Sequence, residues 1–281
     1  MKQILLVNDV VGYSHVGMVA MLPILTYLGH PTYNLPTALV SNTLDYGKFS
    51  VMETTSYMRD TIPVWRQLGF RFDAVCTGLM FSEEQARLVI GYCKQLRDEG
   101  CTVFVDPIMG DGGRLYNGIS LRQVELMREM VGEADLTFPN YTEACYLTGL
   151  PFKSEGLSEE EAHAMLDAII ALGAKSAVIT SANVDGHSCV IGRRSKEPIG
   201  GFEQKLDEGP YFRLDYGEIP VAFHGTGDIF SAVLIGHLMN GEPLKHSTRT
   251  AMDVVARLIE RNRALPDKCR GIPIEQCLDL L

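Results

Sequence analysis

A chain of 281 residues, 46% of them apolar, can bury a substantial core as one large α/β domain or two small ones. Its 25 Lys and Arg against 35 Asp and Glu leave a net charge of −10, which excludes nucleic acid and anionic membrane as partners, since both demand basic surface. The seven cysteines (Cys76, Cys93, Cys101, Cys145, Cys189, Cys269 and Cys277) form no CxxC pair and no Cys/His group at zinc spacing, so they read as free thiols in a reducing compartment.

After Lys2 the only apolar residues before Asn8 and Asp9 are those at 4–7, too short a run for a signal h-region. The longest apolar segment, residues 16–28, is interrupted by Pro23 and falls short of the roughly 18 residues that a membrane span needs. A cytoplasmic protein is expected.

Along the chain, strand and helix patterns alternate. Residues 4–7 read as a fully apolar strand and 16–28 as a helix that Gly29 ends. Residues 31–52, with Pro31 and Pro36, read as extended structure. Apolar β-rich runs at 72–77 and 102–105 suit strands buried on both faces. Between them Ser82-Glu83-Glu84-Gln85 opens a helix that Gly100 closes. A short strand at 136–138 is followed by a helix at 142–148. Ser158-Glu159-Glu160-Glu161 opens another helix, stopped by Gly173, before a strand at 177–180. Residues 184–222 mix Gly, Pro and charge with short β-like pieces at 189–191 and 211–214. An apolar helix follows Gly225, and residues 266–281 read as a surface tail. This alternation predicts βαβ units: a mostly parallel sheet with helices on both faces, in a single domain over 1–281.

Ligands of such sheets bind beyond the carboxyl ends of the strands. Asp9, Asp106, Asn140, Thr180 and Asp228 each follow a strand-like run or start a helix after a loop, so they are expected on one edge. The most telling of these stretches is Gly225-Thr226-Gly227-Asp228. Two glycines allow a sharp turn and close backbone approach, and the helix that starts there points free N–H groups into it, an anion site suited to phosphate. A carboxylate beside a bound phosphate is repelled by it. Asp228 therefore makes sense as a general base for an alcohol that attacks the phosphate; the plainer alternative is an ordinary first-turn acid. There is no GxxxxGK[ST] sequence, which excludes a P-loop, and the protein-kinase signatures are missing.

Other segments accompany this one: Gly12-Tyr13-Ser14-His15-Val16-Gly17, Ser41-Asn42 through Tyr46-Gly47-Lys48, Val105-Asp106-Pro107-Ile108-Met109-Gly110-Asp111, and Pro139-Asn140-Tyr141-Thr142-Glu143. In this order and at these separations they resemble the ribokinase-like superfamily, and within it the pyridoxal (vitamin B6) kinases, over residues 2–265. The resemblance implies a three-layer αβα sandwich around a mostly parallel central sheet, with a small flap and antiparallel edge strands. It implies ATP-dependent phosphorylation of the 5′-hydroxymethyl group of pyridoxal, pyridoxine or pyridoxamine, with Mg²⁺, a monovalent cation such as K⁺, and a homodimer. The alternatives are a hydroxymethylpyrimidine kinase of the same fold, in which Cys often replaces Asp228, and a catalytically silent vitamer- or nucleotide-binding protein.

On this resemblance Gly225, Thr226 and Gly227 hold the transferred phosphoryl group and Asp228 takes the substrate proton. Glu143 and Asp106 serve the metal, with Asn140 completing the NxxE motif. Thr180, Ser181, Phe223 and His224 border the nucleotide. Asp9, Asp45 and Tyr46 face the vitamer; Asp9 stands where many B6 kinases carry Ser, and of residues 44–46 only Tyr46 keeps the family identity. The plainer readings are a helix N-terminal acid for Glu143, a loop acid for Asp111, and a cap on the turn at Gly12 for Asp9. A buried Asp9 carboxylate is costly without a partner, so one is expected.

Overall fold

The computed structural model describes residues 1–202 and 209–281, which form two compact units, Met1–Phe81 with Ile219–Leu281, and Ser82–Glu218. The expected fold class holds: mixed α/β, with a mostly parallel central sheet flanked by helices and antiparallel strands at one edge.

The first unit opens with β1 (Ile4–Val7), β2 (Val10–Tyr13), α1 (Met18–Tyr27), β3 (Thr32–Asn34), β4 (Ala38–Asn42), β5 (Val51–Glu53), α2 (Thr55–Gln67) and β6 (Ala74–Thr77). β1 pairs in parallel with β3 and with β6, and all four of its side chains are fully buried, as its unbroken apolar run requires. The extended stretch at 31–52 supplies β3 and a separate small sheet in which β4 runs parallel to β2 and antiparallel to β5. A 3₁₀ turn at Leu44–Tyr46 interrupts it.

The second unit holds α3 (Glu83–Asp98), β7 (Thr102–Val105), β8 (Gly110–Asp111), β9 (Arg114–Leu115), α4 (Leu121–Val131), β10 (Leu136–Thr137), α5 (Tyr141–Thr148), α6 (Glu159–Ala171), β11 (Ser176–Val184), β12 (His187–Arg193) and β13 (Tyr211–Asp215). β10 lies parallel between β7 and β11, and β12 and β13 add antiparallel to β11. The cap at Ser158 forms as a full capping box with Glu161, and Ser82 accepts from the Gln85 N–H at 3.2 Å.

The chain then returns to the first unit as α7 (Thr226–Met239) and α8 (Leu244–Asn262). α7 is apolar nearly all round because it is packed between α1 and α8. Gly236 lets α7 approach the end of α1 closely: a Cβ there would lie 2.4 Å from a terminal methyl of Leu28, which would have to shift.

Two features depart from the sequence reading. Helices α2, α4 and α8 are amphipathic elements that it did not name, although Ser120 and Gln123 form a full capping box before α4. Residues 266–281 are not a surface tail. Ile272, Ile274 and Cys277 are at most 2% exposed, and the His15 N–H donates to the Arg270 carbonyl at 2.7 Å. Short apolar residues spaced through two 3₁₀ turns carry no helical or strand period, so burial there leaves no periodic mark.

Candidate active site

In the first unit the Gly225 turn behaves as its sequence predicts. Gly225 has a φ of 79° and a Cβ there would lie 2.6 Å from the His15 carbonyl oxygen, so only glycine fits. Gly225→Ala is expected to lower the melting temperature by several degrees, measured by calorimetry, since a strained left-handed residue and a backbone clash together cost roughly 1–3 kcal/mol. No side chain caps α7, and its first-turn N–H groups have no partner within the helix. The Thr226 hydroxyl turns back to the Phe223 carbonyl at 3.2 Å, away from those N–H groups.

Asp228, half-buried in the first turn of α7, is gripped from the N-terminal segment. Its Oδ2 accepts from the Gly17 N–H at 2.8 Å and its Oδ1 from Asn8 Nδ2 at 3.4 Å. Asn8, 2% exposed, is a crossbar: its Oδ1 also accepts from the Asp9 N–H at 2.9 Å and the Leu79 N–H at 3.0 Å. Gly78 packs directly on it, with no room for a Cβ. The sequence reading missed Asn8, whose one signal is its place at the end of the first strand. Burial raises the Asp228 carboxyl above the ordinary aspartate value, opposed by the Gly17 and Asn8 bonds.

Asp9, 8% exposed, is pushed up to about 7, chiefly by burial and then by the neighbouring Asp228 carboxylate. The partner expected for it is not a cation; among the described residues no basic side chain pairs with it, and its charged neighbour is Asp228. Nor does it close the turn at Gly12, which faces the Val40 and Ser41 carbonyls. Asp9 packs on Gly17 instead, where a Cβ would lie 2.7 Å from Oδ1.

Asp45 and Tyr46 lie in the 3₁₀ turn of the small sheet. Asp45 Oδ2 stands 3.1 Å from His224 Nδ1, and the Tyr46 hydroxyl donates to Asp267. Tyr13, Asn42, Tyr46 and Lys48 line an open cavity of about 280 Å³. Phe223 is buried, with the Lys268 ammonium 4.7 Å from its ring centre.

In the second unit Asp106 and Asn140 follow the carboxyl ends of the adjacent parallel strands β7 and β10, as a parallel sheet demands, whereas Thr180 lies within β11, at the register shift, and bridges to Asn140. Asn140 caps α5 and forms a full capping box with Glu143. Its Nδ2 donates to the Gly110 carbonyl at 2.8 Å. Glu143, 3% exposed, accepts from the Asn140 N–H at 2.8 Å and the Met109 N–H at 3.0 Å, which ties the 106–111 loop to α5. Burial pushes its carboxyl up to about 8, with Asp111 adding to the rise. Asp111 itself is exposed and accepts from the Gly112 N–H at 2.7 Å, which fits a loop acid. The Thr180 N–H donates to the Pro139 carbonyl at 3.0 Å. Ser181, with a φ of 55°, sits at a register shift between Ile179 and Ala182 and is exposed.

Among the described residues no group of three or more His, Cys, Asp or Glu could cage a metal. Mg²⁺ keeps most of its waters and takes one or two carboxylates plus substrate phosphates. Glu143 fits such a role electrostatically, because a carboxyl that burial pushes toward neutrality is recharged by a nearby dication.

Comparison with known proteins gives four related findings. Residues 17–271 match the family model described as phosphomethylpyrimidine kinase. A pyridoxal kinase of Arabidopsis thaliana is 35% identical over 165 residues, 58% of this chain and 49% of that protein, so the match spans about half its length. A pyridoxal kinase of Rubrobacter xylanophilus is 27% identical over 270 residues, covering 92% of this chain and 87% of the relative. A crystal structure from Bacteroides thetaiotaomicron, in a form with pyridoxal, superposes with a TM-score of 0.89 at 30% identity, over 99% of this chain and 95% of the other. Among the described residues no helix is long and apolar enough to cross a membrane.

Proposed function

We propose that this chain, which belongs to the phosphomethylpyrimidine kinase family, transfers the γ-phosphoryl group of ATP to the 5′-hydroxymethyl group of a vitamin B6 compound. The observation that carries this reading is the Asp228 carboxylate, held by Gly17 and Asn8 in the first turn of an uncapped helix. The substrate oxygen attacks the γ-phosphorus, the bond to the ADP oxygen breaks, and the hydroxyl proton passes to Asp228. The free N–H groups at 225–228 hold the phosphoryl oxygens as charge shifts between them. Burial makes Asp228 a stronger base than an ordinary aspartate.

Asp9, Asp45 and Tyr46 read the vitamer, and Phe223 and His224 border the nucleotide. Asp106, Asn140, Glu143, Thr180 and Ser181 serve the metal and the ATP phosphates. Mg²⁺, ordered by Glu143 and Asp106, would neutralise phosphate charge when bound. The whole chain acts as one kinase domain, in the cytoplasm and as a homodimer. The relatives named for pyridoxal kinase and the pyridoxal-containing structure support a B6 substrate.

The family description favours one second reading, a hydroxymethylpyrimidine acceptor. A coupled assay of ADP release across pyridoxal, pyridoxine, pyridoxamine, hydroxymethylpyrimidine and ribose separates them. Turnover is expected with the B6 compounds; turnover with hydroxymethylpyrimidine alone overturns the B6 reading, and none with any acceptor overturns the kinase reading.

Glu143→Gln is expected to raise the Mg²⁺ concentration needed for half-maximal rate by roughly 10-fold or more, with a smaller effect on the vitamer KM. Titrating Mg²⁺ at saturating ATP checks this. An unchanged metal curve leaves Glu143 as a capping acid that ties α5 to residues 106–111.

A further inference from the structure

Residues 266–271 bind together three segments of the first unit that carry the proposed site. The Tyr46 hydroxyl donates to Asp267, and the Thr43 hydroxyl donates to the Cys269 carbonyl at 3.2 Å, so the 3₁₀ turn at 44–46 is tied on both sides. The Arg270 guanidinium stands 4.7 Å from the Tyr13 ring centre, and the Arg270 carbonyl accepts from the His15 N–H at 2.7 Å and the Ser14 hydroxyl at 3.1 Å. The Lys268 carbonyl accepts from the His224 N–H at 3.3 Å. Gly271 has a φ of 83°, and a Cβ there would lie 2.7 Å from the His15 oxygen and 3.2 Å from the His224 oxygen. The loop therefore packs backbone to backbone on 13–17 and on the turn before Gly225, while its side chains hold the small sheet.

The two rings it grips are the aromatic walls of the cavity at Tyr13, Asn42, Tyr46 and Lys48, 6.4 Å apart between centres. The Arg270 N–H orients the Asp267 carboxylate from 3.3 Å. The Tyr46 hydroxyl holds Asp267 below the usual carboxylate range. The Asp45–His224 contact adds a second tie between the same turn and the start of the phosphate turn.

We propose, on the kinase reading above, that Asp267 and Arg270 are positioning residues of the reaction: they fix Tyr46 and Tyr13 as walls of the acceptor cavity relative to the phosphate turn at 224–228. Neither touches the reacting atoms; both act through the tyrosines. Their effect belongs to acceptor binding rather than to phosphoryl transfer or nucleotide affinity.

Asp267→Ala is expected to raise the acceptor KM about 10-fold, the size of one lost hydrogen bond to a charged group, with a smaller effect on kcat and an unchanged ATP KM. Asp267→Asn keeps an acceptor oxygen and should recover most of the loss. Tyr46→Phe should raise the same KM, and the double variant Asp267→Ala/Tyr46→Phe should add little to either single one. Hydrogen exchange of the amides at 42–50 should quicken in Asp267→Ala, a readout that needs no turnover. An unchanged acceptor KM, an equal rise in ATP KM, or full additivity of the two substitutions overturns the proposal. Wild-type protein that phosphorylates no acceptor overturns the kinase reading instead, and unchanged exchange at 42–50 then overturns the tie itself.

Discussion

Asp228→Asn is expected to lower kcat by roughly 10²–10⁴ while leaving nucleotide affinity near that of the wild type. The substitution removes the proton acceptor and keeps the shape of the side chain. An Asn oxygen can still accept from the Gly17 N–H, so the bond that now measures 2.8 Å and the turn beneath it survive. The N–H groups at the start of α7 are backbone groups and are untouched. A loss confined to kcat marks a proton acceptor, whereas a first-turn acid with no chemical role would change the melting temperature and leave kcat intact. Single-turnover rates at saturating ATP, with nucleotide binding measured separately by calorimetry, distinguish the two.

The second large effect is expected at Asp9. Removing a carboxylate that accepts a hydrogen bond from the vitamer ring costs about 1.5–3 kcal/mol, so Asp9→Ala should lower vitamer kcat/KM by roughly 10–150-fold, with ATP KM barely changed. Stability must move the other way at high pH. The folded-state pKa of about 7 lies above the ordinary aspartate value of 3.8, so the contribution of Asp9 to stability is fully present below about pH 3.8 and is lost as pH rises through about 7. Asp9→Asn, which cannot ionise, should therefore gain melting temperature relative to wild type at pH 8 and much less at pH 5. A carboxylate kept beside Asp228 at such a cost, with no cationic partner among the described residues, is what a ligand-facing group looks like. Loss of stability at all pH values with kinetic constants intact would remove Asp9 from the site.

Much of this arrangement was legible in the sequence, for physical reasons that differ by residue. The buried strands at 4–7 and 102–105 announce themselves because a strand covered on both faces has no polar side to show. Gly225 was legible because a left-handed turn leaves few residue types a choice. Asn8 was not, since one amide at a strand end looks the same whether it faces solvent or holds Asp9, Leu79 and Asp228 together. The hub at 266–271 was hidden for a related reason: its ties are mostly backbone carbonyls, which every residue carries. The exchange of bonds between Asn140 and Glu143 was visible as a motif, but the sequence could not say that Met109 would also be held by that carboxylate.

The central claim is phosphoryl transfer to the 5′-oxygen of a B6 compound, and phosphorus NMR of the reaction mixture tests it most directly. With ATP, Mg²⁺ and pyridoxal, wild-type protein should convert the γ-phosphate resonance into a phosphomonoester resonance coupled to the 5′-methylene protons, in step with ADP, and Asp228→Asn should leave it in ATP. Appearance of the γ-phosphate as inorganic phosphate, with no ester on the vitamer, would contradict the account.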